Sequence, residues 1–274
     1  MHGHRLVGNR TRWLRFRTVK CGSWHRDNVV LLGDAAHTAH YSIGSGTKLA
    51  MEDAIALDVA IREARDLPSA FADYEARRRP AVLHLQEIAH RSQLWWESFP
   101  ERMHLPVAQL MLAYMTRAGK VDLARFVQNA PALGRRGLAD YAGIAATAVP
   151  DSDVTEWVLD RPLTHDGITH PRRAADRDLR FAATTTVVDV DLESARGPAA
   201  DAFVASLPAT QTLWLTGSAD RAALLVRLDL AERLCRSTDS LVVVEGAHRD
   251  VGDLAAGLAS GRTHLVAVTR EVPV

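Results

Sequence analysis

The residues best suited to chemistry are Gly33, Asp34, Gly44, Ser45, Gly46 and Thr47. They sit in two runs, Val29-Val30-Leu31-Leu32-Gly33-Asp34-Ala35-Ala36-His37 and Ile43-Gly44-Ser45-Gly46-Thr47-Lys48-Leu49-Ala50-Met51-Glu52-Asp53-Ala54. A buried apolar strand ending in Gly-Asp delivers a carboxylate to the strand's carboxyl end, where open α/β sheets bind ligands. That carboxylate can accept hydrogen bonds from sugar or sugar-alcohol hydroxyls. Gly44 and Gly46 let the backbone approach a planar ring closely. A helix starting at Thr47 aims free N–H groups and roughly half a positive charge at the same spot, which favours negative charge on a bound ring or phosphate. Two familiar motifs are excluded. Gly44-Ser45-Gly46 begins like a dinucleotide fingerprint, but Leu49 stands where its third glycine belongs, and Gly46-Thr47-Lys48 lacks the order of a P-loop.

These residues need elements to hold them. Arg12 to Val19 alternates basic and large apolar residues, as a half-buried strand does, and Asn28 to Leu32 reads as a buried strand ending at Gly33. Residues 34–46 form a loop. From Thr47 the recurrence of Ala50, Ala54, Leu57 and Ile61 predicts a helix. Pro68 opens the next helix, Pro80 is expected to kink or restart it, and Leu94-Trp95-Trp96 continues it as core toward Pro100. Residues 105–142 read as helix broken at Gly119, Pro131 and Gly134. Prolines 150, 162 and 171 suggest an irregular linker over 144–180. Beyond it, strands at Val187–Val190, Thr212–Thr216, Leu241–Val244 and Leu265–Val268 alternate with helices at 219–235 and 250–259, which predicts βαβ units on a parallel sheet.

The composition is that of an ordinary globular chain, 47% hydrophobic and 24% charged over 274 residues, which argues against disorder and low complexity. Cys21 and Cys235 are too few for a disulfide scaffold and carry no signature of a reactive thiol; a reducing, cytoplasmic setting is the expectation. No apolar run reaches the roughly 18–20 residues that span a bilayer, and the first residues do not read as a secretory signal. The balanced charge, 33 basic against 33 acidic residues, hides an asymmetry: residues 1–150 carry +6 and the remainder −6. The seven basic residues before Asp27 read as a solvated strand face or as a site for an anionic partner such as a phosphate-bearing ligand. No recognition-helix pattern supports nucleic acid. His37 and His40 have no partner at metal-ligand spacing, so no metal is expected and both read as loop histidines. Asp53 with one of Arg77, Arg78 and Arg79 could form an ion pair tying two helices, while Glu52 reads as a solvated residue.

The two runs together resemble the second flavin-binding motif of the single-component (group A) flavin-dependent aromatic hydroxylases, the para-hydroxybenzoate hydroxylase-like family. In that family a Gly-Asp-Ala-Ala-His segment meets the ribityl chain of FAD, and the following Gly-x-Gly turn and helix start lie against the isoalloxazine. The resemblance therefore implies that Gly33 and Asp34 meet the ribityl chain and that Gly44, Ser45, Gly46 and Thr47 flank the ring. Most members have proline after the histidine; Thr38-Ala39-His40-Tyr41-Ser42-Ile43 departs from that pattern. His37 to Ala54 is instead similar to the salicylyl-CoA 5-hydroxylase and anthraniloyl-CoA monooxygenase branch, as are Trp13, Phe16-Arg17-Thr18-Val19, Trp24-His25 and Tyr74-Glu75-Ala76-Arg77-Arg78-Arg79-Pro80. The resemblance covers about residues 6–130. It implies FAD as cofactor, NAD(P)H as reductant and hydroxylation of an aromatic acyl-CoA or related aromatic molecule with O2; catalytic residues are not identified. It also implies that the glycine-fingerprint domain for the FAD pyrophosphate is not within this chain. The expectation is weak or no FAD binding by the chain alone; the alternative to a monooxygenase lacking that domain is a non-catalytic remnant or a subunit that needs a second chain for flavin binding.

Residues 228–270 are similar to the last βα units of an old yellow enzyme-type (β/α)8 barrel, where backbone near the glycine and the final arginine, Arg270, would hold FMN phosphate. Arg161-Pro162-Leu163 with Gly167-Ile168-Thr169 faintly resembles the barrel's start. At most half a barrel fits, which leaves FMN in the C-terminal region doubtful. The expected fold class is α/β: a C-terminal portion of an FAD-binding monooxygenase domain over 1–143, strands then helices; a linker over 144–180; and a partial, half-barrel-like βα region over 181–274. The expected partners are a small aromatic molecule and that second chain, with no nucleic acid and no membrane.

Overall fold

The computed structural model describes residues 15–269. The chain is mixed α/β and packs as two compact units, Met1–Glu97 and Ser98–Val274. The division falls well before the boundary at residue 143 that the sequence suggested. The reason is local: the helices after residue 105 bury their apolar faces in the same core as the later βα units.

The N-terminal unit begins with a minimal antiparallel hairpin, β1 (His25–Arg26) and β2 (Val29–Val30), turned by Asp27 with φ +52°. Single helical turns follow at Gly33–Ala35 and Tyr41–Ile43. Then come two long helices, α1 (Gly46–Glu63) and α2 (Leu67–Glu97), packed as a helical hairpin. Their shared core contains Trp24, Ala36, Leu49, Ala60, Phe71, Tyr74 and Val82.

Several expectations for this unit change. Arg12 to Leu14 lie outside the described residues, as does Trp13, and Arg15 to Val19 form no strand. Their backbone is tied instead by side chains: Thr38 Oγ1 donates to the Arg17 carbonyl and Gln86 Nε2 to the Val19 carbonyl. Asn28 to Leu32 is not a buried strand: among the described residues its ladder partner is the two-residue β1, and Val29 and Leu32 stay exposed. The buried stripe of α1 is Leu49, Asp53 and Ala60 rather than one through Ala54 and Ile61, which are exposed. Proline 80 does not interrupt α2: it sits on an exposed face while Tyr74 and Val82 on either side are buried, so packing holds the helix across the missing N–H. Trp95 is core, but Trp96 is exposed.

The C-terminal unit opens with α3 (Val107–Thr116), α4 (Leu123–Asn129) and α5 (Pro131–Ala142). Gly134 lies inside α5 and breaks nothing. Its missing side chain, with that of Gly137, allows close approach: a Cβ on Gly137 would stand 2.7 Å from the Ala108 carbonyl oxygen of α3. Residues 144–180 are not an irregular linker. They hold α6 (Val154–Leu159), whose Val154, Val158 and Leu159 are core residues, the hairpin β3 (Leu163–His165) and β4 (Ile168–His170), and the short α7 (Arg177–Arg180). The prolines mark the ends of these elements rather than a linker.

Four parallel strands follow: β5 (Thr185–Asp189), β6 (Thr212–Thr216), β7 (Leu241–Ala247) and β8 (Leu265–Thr269), lying in chain order. They are joined by α8 (Pro198–Ser206), α9 (Arg221–Ser237) and α10 (Val251–Ala259). The pleat sorts the side chains. Leu213, Leu215, Val242, Val244 and Val266 enter the core formed with the helices, whereas Trp214, Leu241, Val243, Leu265 and Ala267 form a second core with Leu163, Ala175 and Leu179. Among the described residues, no helix is long and apolar enough to cross a membrane.

Candidate functional site

The Gly33–Asp34 turn is fixed from beneath. Gly33 has φ +57°, and a Cβ there would stand 3.1 Å from the Cβ of Ala50, so glycine meets both a backbone and a packing demand. Its N–H donates to Asp53 Oδ2 at 3.0 Å. Asp53 has no exposed surface, and its oxygens also accept from His37 Nε2 at 2.7 Å and from Arg78 Nε at 2.9 Å. Burial alone would raise the Asp53 carboxyl; the hydrogen bonds from His37, Arg78 and Gly33 outweigh it and hold the group below the usual carboxylate range. Because an ionised carboxylate only accepts, His37 carries its proton on Nε2. Arg78 continues to Glu52 Oε2 at 3.0 Å, so the expected ion pair between the two helices exists and Arg78 makes it.

A second layer supports the first. Trp24 packs 5.0 Å from His37 and 5.7 Å from Tyr74, ring centre to ring centre, and its backbone N–H donates to Glu75 Oε2 at 2.8 Å. The Tyr74 hydroxyl donates to the Leu31 carbonyl at 3.2 Å. Gln86 Nε2 bridges the Val19 and Thr38 carbonyls. The family motif residues Trp24, His37, Tyr74 and Arg78 are thus the scaffold of the turn.

Resting on this scaffold, Asp34 is exposed and makes no hydrogen bond or ion pair with a described residue. The loop returns through Gly44, whose left-handed φ of +65° ends the Tyr41–Ile43 turn, to Ser45 and the start of α1. The helix begins at Gly46, one residue before the position read from sequence. Ser45 is buried and its hydroxyl donates to the Ile43 carbonyl at 3.3 Å, so it does not cap the helix. The N–H groups of Gly46, Thr47 and Lys48 are left without an intrahelical acceptor, as in any first helical turn. A Cβ built at Gly44 or Gly46 meets nothing within 4 Å. Gly33 and α1 are in contact through Ala50, so both parts of the predicted set belong to one neighbourhood.

The set combines an exposed acceptor carboxylate, open backbone at two glycines and free N–H donors at a helix start. It suits a ligand with a hydroxylated chain and a flat ring bearing acceptor oxygens. The Asp53 and His37 clamp was not found from sequence as a pair. Its signal was an aspartate occupying a core position of α1 between Leu49 and Ala60. Among the described residues no group of three His, Cys, Asp or Glu is arranged to hold a metal, and His37 Nε2 is committed to Asp53. In the C-terminal unit, Arg270 lies outside the described residues. Gly246 is occupied with packing, since a Cβ there would meet Leu224 and Leu254 at 3.1–3.2 Å.

Comparison with known proteins finds relatives of this stretch. Residues 8–88 match the family model described as an FAD binding domain. The chain is 56% identical over 98 residues to salicyloyl-CoA 5-hydroxylase from a Streptomyces species, covering 35% of this chain and 19% of that protein. It is 46% identical over 120 residues to 3-hydroxy-4-methyl-anthranilyl-[aryl-carrier protein] 5-monooxygenase from Streptosporangium sibiricum, covering 44% and 33%. A kynurenine 3-monooxygenase from Salinispora arenicola is 34% identical over 137 residues, covering 50% and 27%. The chain thus spans about a third or less of the length of the relatives it matches. FAD is the cofactor these matches support, with NAD(P)H the reductant typical of the family. The stretch holding Asp34 and the Gly44–Thr47 turn is related to the FAD-dependent aromatic hydroxylases.

Proposed function

We propose that the N-terminal unit forms the ribityl- and ring-facing part of an FAD site in an aromatic monooxygenase. In this reading its substrate is an aromatic ring carried as a thioester on coenzyme A or a carrier protein. The observation that carries this is the unclaimed carboxylate of Asp34 beside the open glycine turn and the uncapped start of α1. When bound, FAD would supply electrons from NAD(P)H and the activation of O2 for ring hydroxylation. The chain's own share is placement. Asp34 would accept hydrogen bonds from the ribityl hydroxyls. Gly44 and Gly46 would let the ring lie against the backbone. The Gly46–Lys48 N–H groups would stabilise negative charge on the ring oxygens. Asp53, His37 and Arg78 would keep the Gly33 turn in place without touching the cofactor.

The test is residue-resolved NMR of the purified chain with millimolar FAD, which detects weak binding. Shifts at the amides of Gly33, Asp34 and Gly44–Lys48, reduced several-fold in Asp34→Ala, are expected. Unperturbed amides over both segments, with the chain alone and again in the presence of a separate glycine-fingerprint FAD domain, would refute the reading. A second reading, a subunit or non-catalytic relative that works with a partner chain, is favoured by the 62% and 64% exposure of Met51 and Ile55 on α1. Light scattering showing a strict monomer with no added partner requirement for FAD binding would remove it. For the C-terminal unit, the chain-ordered parallel strands favour descent from a (β/α)8 barrel, with no cofactor assigned to it.

A further inference from the structure

The second half of α2 buries a face through Val82, Gln86, Ala89, Ser92 and Trp95, spaced three or four residues apart. Two of the five are polar. Ser92 has no exposed surface, and Gln86 is nearly as buried. A polar group in such a place costs free energy unless it is hydrogen-bonded. Both bond across to the loop that follows the Gly33–Asp34 turn. Gln86 Nε2 donates to the Thr38 carbonyl at 2.9 Å and to the Val19 carbonyl at 2.8 Å. Ser92 Oγ accepts from Ser42 Oγ at 2.8 Å, 50 positions away in the chain. His40 Nδ1 stands 2.9 Å from the same Ser42 oxygen, so one hydroxyl joins the helix, the turn and the loop before it.

The loop needs such ties. Thr38–Ile43 contains no proline to fix its backbone. Its first residue is held from several sides: Thr38 N–H donates to the Val19 carbonyl at 3.1 Å, Thr38 Oγ1 accepts from Val19 N–H at 2.7 Å, and Gln86 holds the Thr38 carbonyl. Its far end is the single turn Tyr41–Ile43, closed by Gly44 N–H on the Tyr41 carbonyl at 2.9 Å. One isolated helical turn is not stable in water. The chain passes from this turn through Gly44 and Ser45 into α1, so the turn sets where Gly44–Lys48 stand. The Ser42–Ser92 bond ties it to α2, which is itself packed on α1.

We propose that Ser92, acting through Ser42, is a positioning residue of the flavin site: it holds the Tyr41–Ile43 turn so that Gly44–Lys48 face the ring, and touches no cofactor itself. The inference rests on the flavin reading for the ring and on the hydrogen bonds alone for the latch. The site then has two halves that are held separately. Asp53 clamps Gly33–Asp34 from α1, and Ser92 latches the Gly44–Lys48 side from α2. Releasing one half lowers the population competent to bind without disturbing the other.

Amide exchange of the purified chain, followed by NMR without flavin, reads the latch directly. The Gly44 N–H is protected by the Tyr41 carbonyl and the Gly33 N–H by Asp53, so the two amides report the two halves. One net hydrogen bond predicts about 3- to 10-fold faster exchange at Gly44 in Ser92→Ala, with Gly33 unchanged. Alanine is the best helix former, so this variant should fold. Ser42→Ala should lose at least as much, and Ser42→Ala with Ser92→Ala no more than Ser42→Ala by itself, because the two hydroxyls act on each other. With millimolar FAD, the shifts at Gly44–Lys48 should shrink in Ser92→Ala while those at Gly33 and Asp34 persist. Unchanged exchange at Gly44, equal acceleration at Gly33 and Gly44, additive losses in the double variant, or FAD shifts that shrink equally in both segments would overturn the proposal. Parent amides that ignore FAD, alone and with a separate glycine-fingerprint domain, beside the expected Gly44 exchange, would sink the flavin reading and support the latch.

Discussion

Replacing Asp53 by alanine tests whether the turn that presents Asp34 is held by a buried charge. Asp53 accepts three hydrogen bonds, from Gly33 N–H at 3.0 Å, His37 Nε2 at 2.7 Å and Arg78 Nε at 2.9 Å. Alanine removes the acceptor of all three and leaves the half-buried Arg78 without its buried partner. Breaking a buried, hydrogen-bonded pair costs about 3–5 kcal/mol. Domains have only about 5–15 kcal/mol in total, so Asp53→Ala should lower the unit's melting temperature sharply or leave it unfolded. Asp53→Asn keeps the shape and one acceptor oxygen, so it should fold while losing the ionic part. The assay is denaturant unfolding with hydrogen exchange at the Gly33 amide, which Asp53 protects. The pH dependence adds an independent readout. Because the folded Asp53 carboxyl lies below its unfolded value, its contribution is fully present above about pH 4 and is lost as pH falls through the folded value. That acid-limb slope should shrink in Asp53→Asn. A Gly33 amide still protected in Asp53→Ala, with stability within about 1 kcal/mol of the parent, would show that the clamp contributes little.

Three further outcomes are expected. Gly33→Ala should cost about 1–2 kcal/mol from the left-handed φ, with more from the 3.1 Å approach to Ala50, and should erase the FAD-induced shifts at Asp34; melting curves and NMR check both. Gly137→Ala should destabilise the C-terminal unit by about 1–3 kcal/mol although alanine is the better helix former, because its Cβ would strike the Ala108 carbonyl; an increase in melting temperature would contradict this. His264, whose Nδ1 accepts the Val242 N–H at 3.1 Å, is held down to about 4 by burial, with His165 and Arg173 adding to the effect. Its depressed value means the unfolded chain takes up protons first, so stability should fall as pH drops from about 6.5 toward 4. His264→Gln should flatten that interval in urea titrations, and an NMR titration should show His264 neutral at pH 5.5.

What could be read from sequence depended on how local its cause was. The strands at Thr212 and Leu241 were visible because strands buried on both faces are continuous apolar runs, and their neighbouring places in the sheet follow chain order. The Gly33–Asp34 and Gly44–Thr47 pair was legible because each residue acts through its own backbone or side chain. The clamp was not legible as a whole, since Asp53, His37 and Arg78 are joined only by the folding of α2 onto α1. The phase of α1 was misread for the same reason: a polar residue, Asp53, occupies the core position that periodicity would give to an apolar one. Proline 80 and the prolines of 144–180 misled in opposite ways, one tolerated inside a helix and the others bounding ordered elements. The cleft that Phe16, His40, Tyr41 and Trp96 line together could not be anticipated, because Phe16 and Trp96 are 80 positions apart in the chain.

The order of the parallel strands has a consequence for how the C-terminal unit comes into being. Each strand pairs with a partner no more than about 30 residues away, as Thr185 with Thr212, Thr212 with Leu241 and Val243 with Leu265. Loop-closure entropy is therefore modest at each addition, and the sheet can grow strand by strand as the polypeptide leaves the ribosome. The last crossover breaks this locality. α10 is buried along most of its length and packs against α3, α4, α5 and α6, all made more than a hundred residues earlier or nearly so. Those helices pack against one another, but the part of their apolar surface that α10 covers stays open until Val251–Ala259 arrives, so a nascent chain stalled before that point would expose it to aggregation.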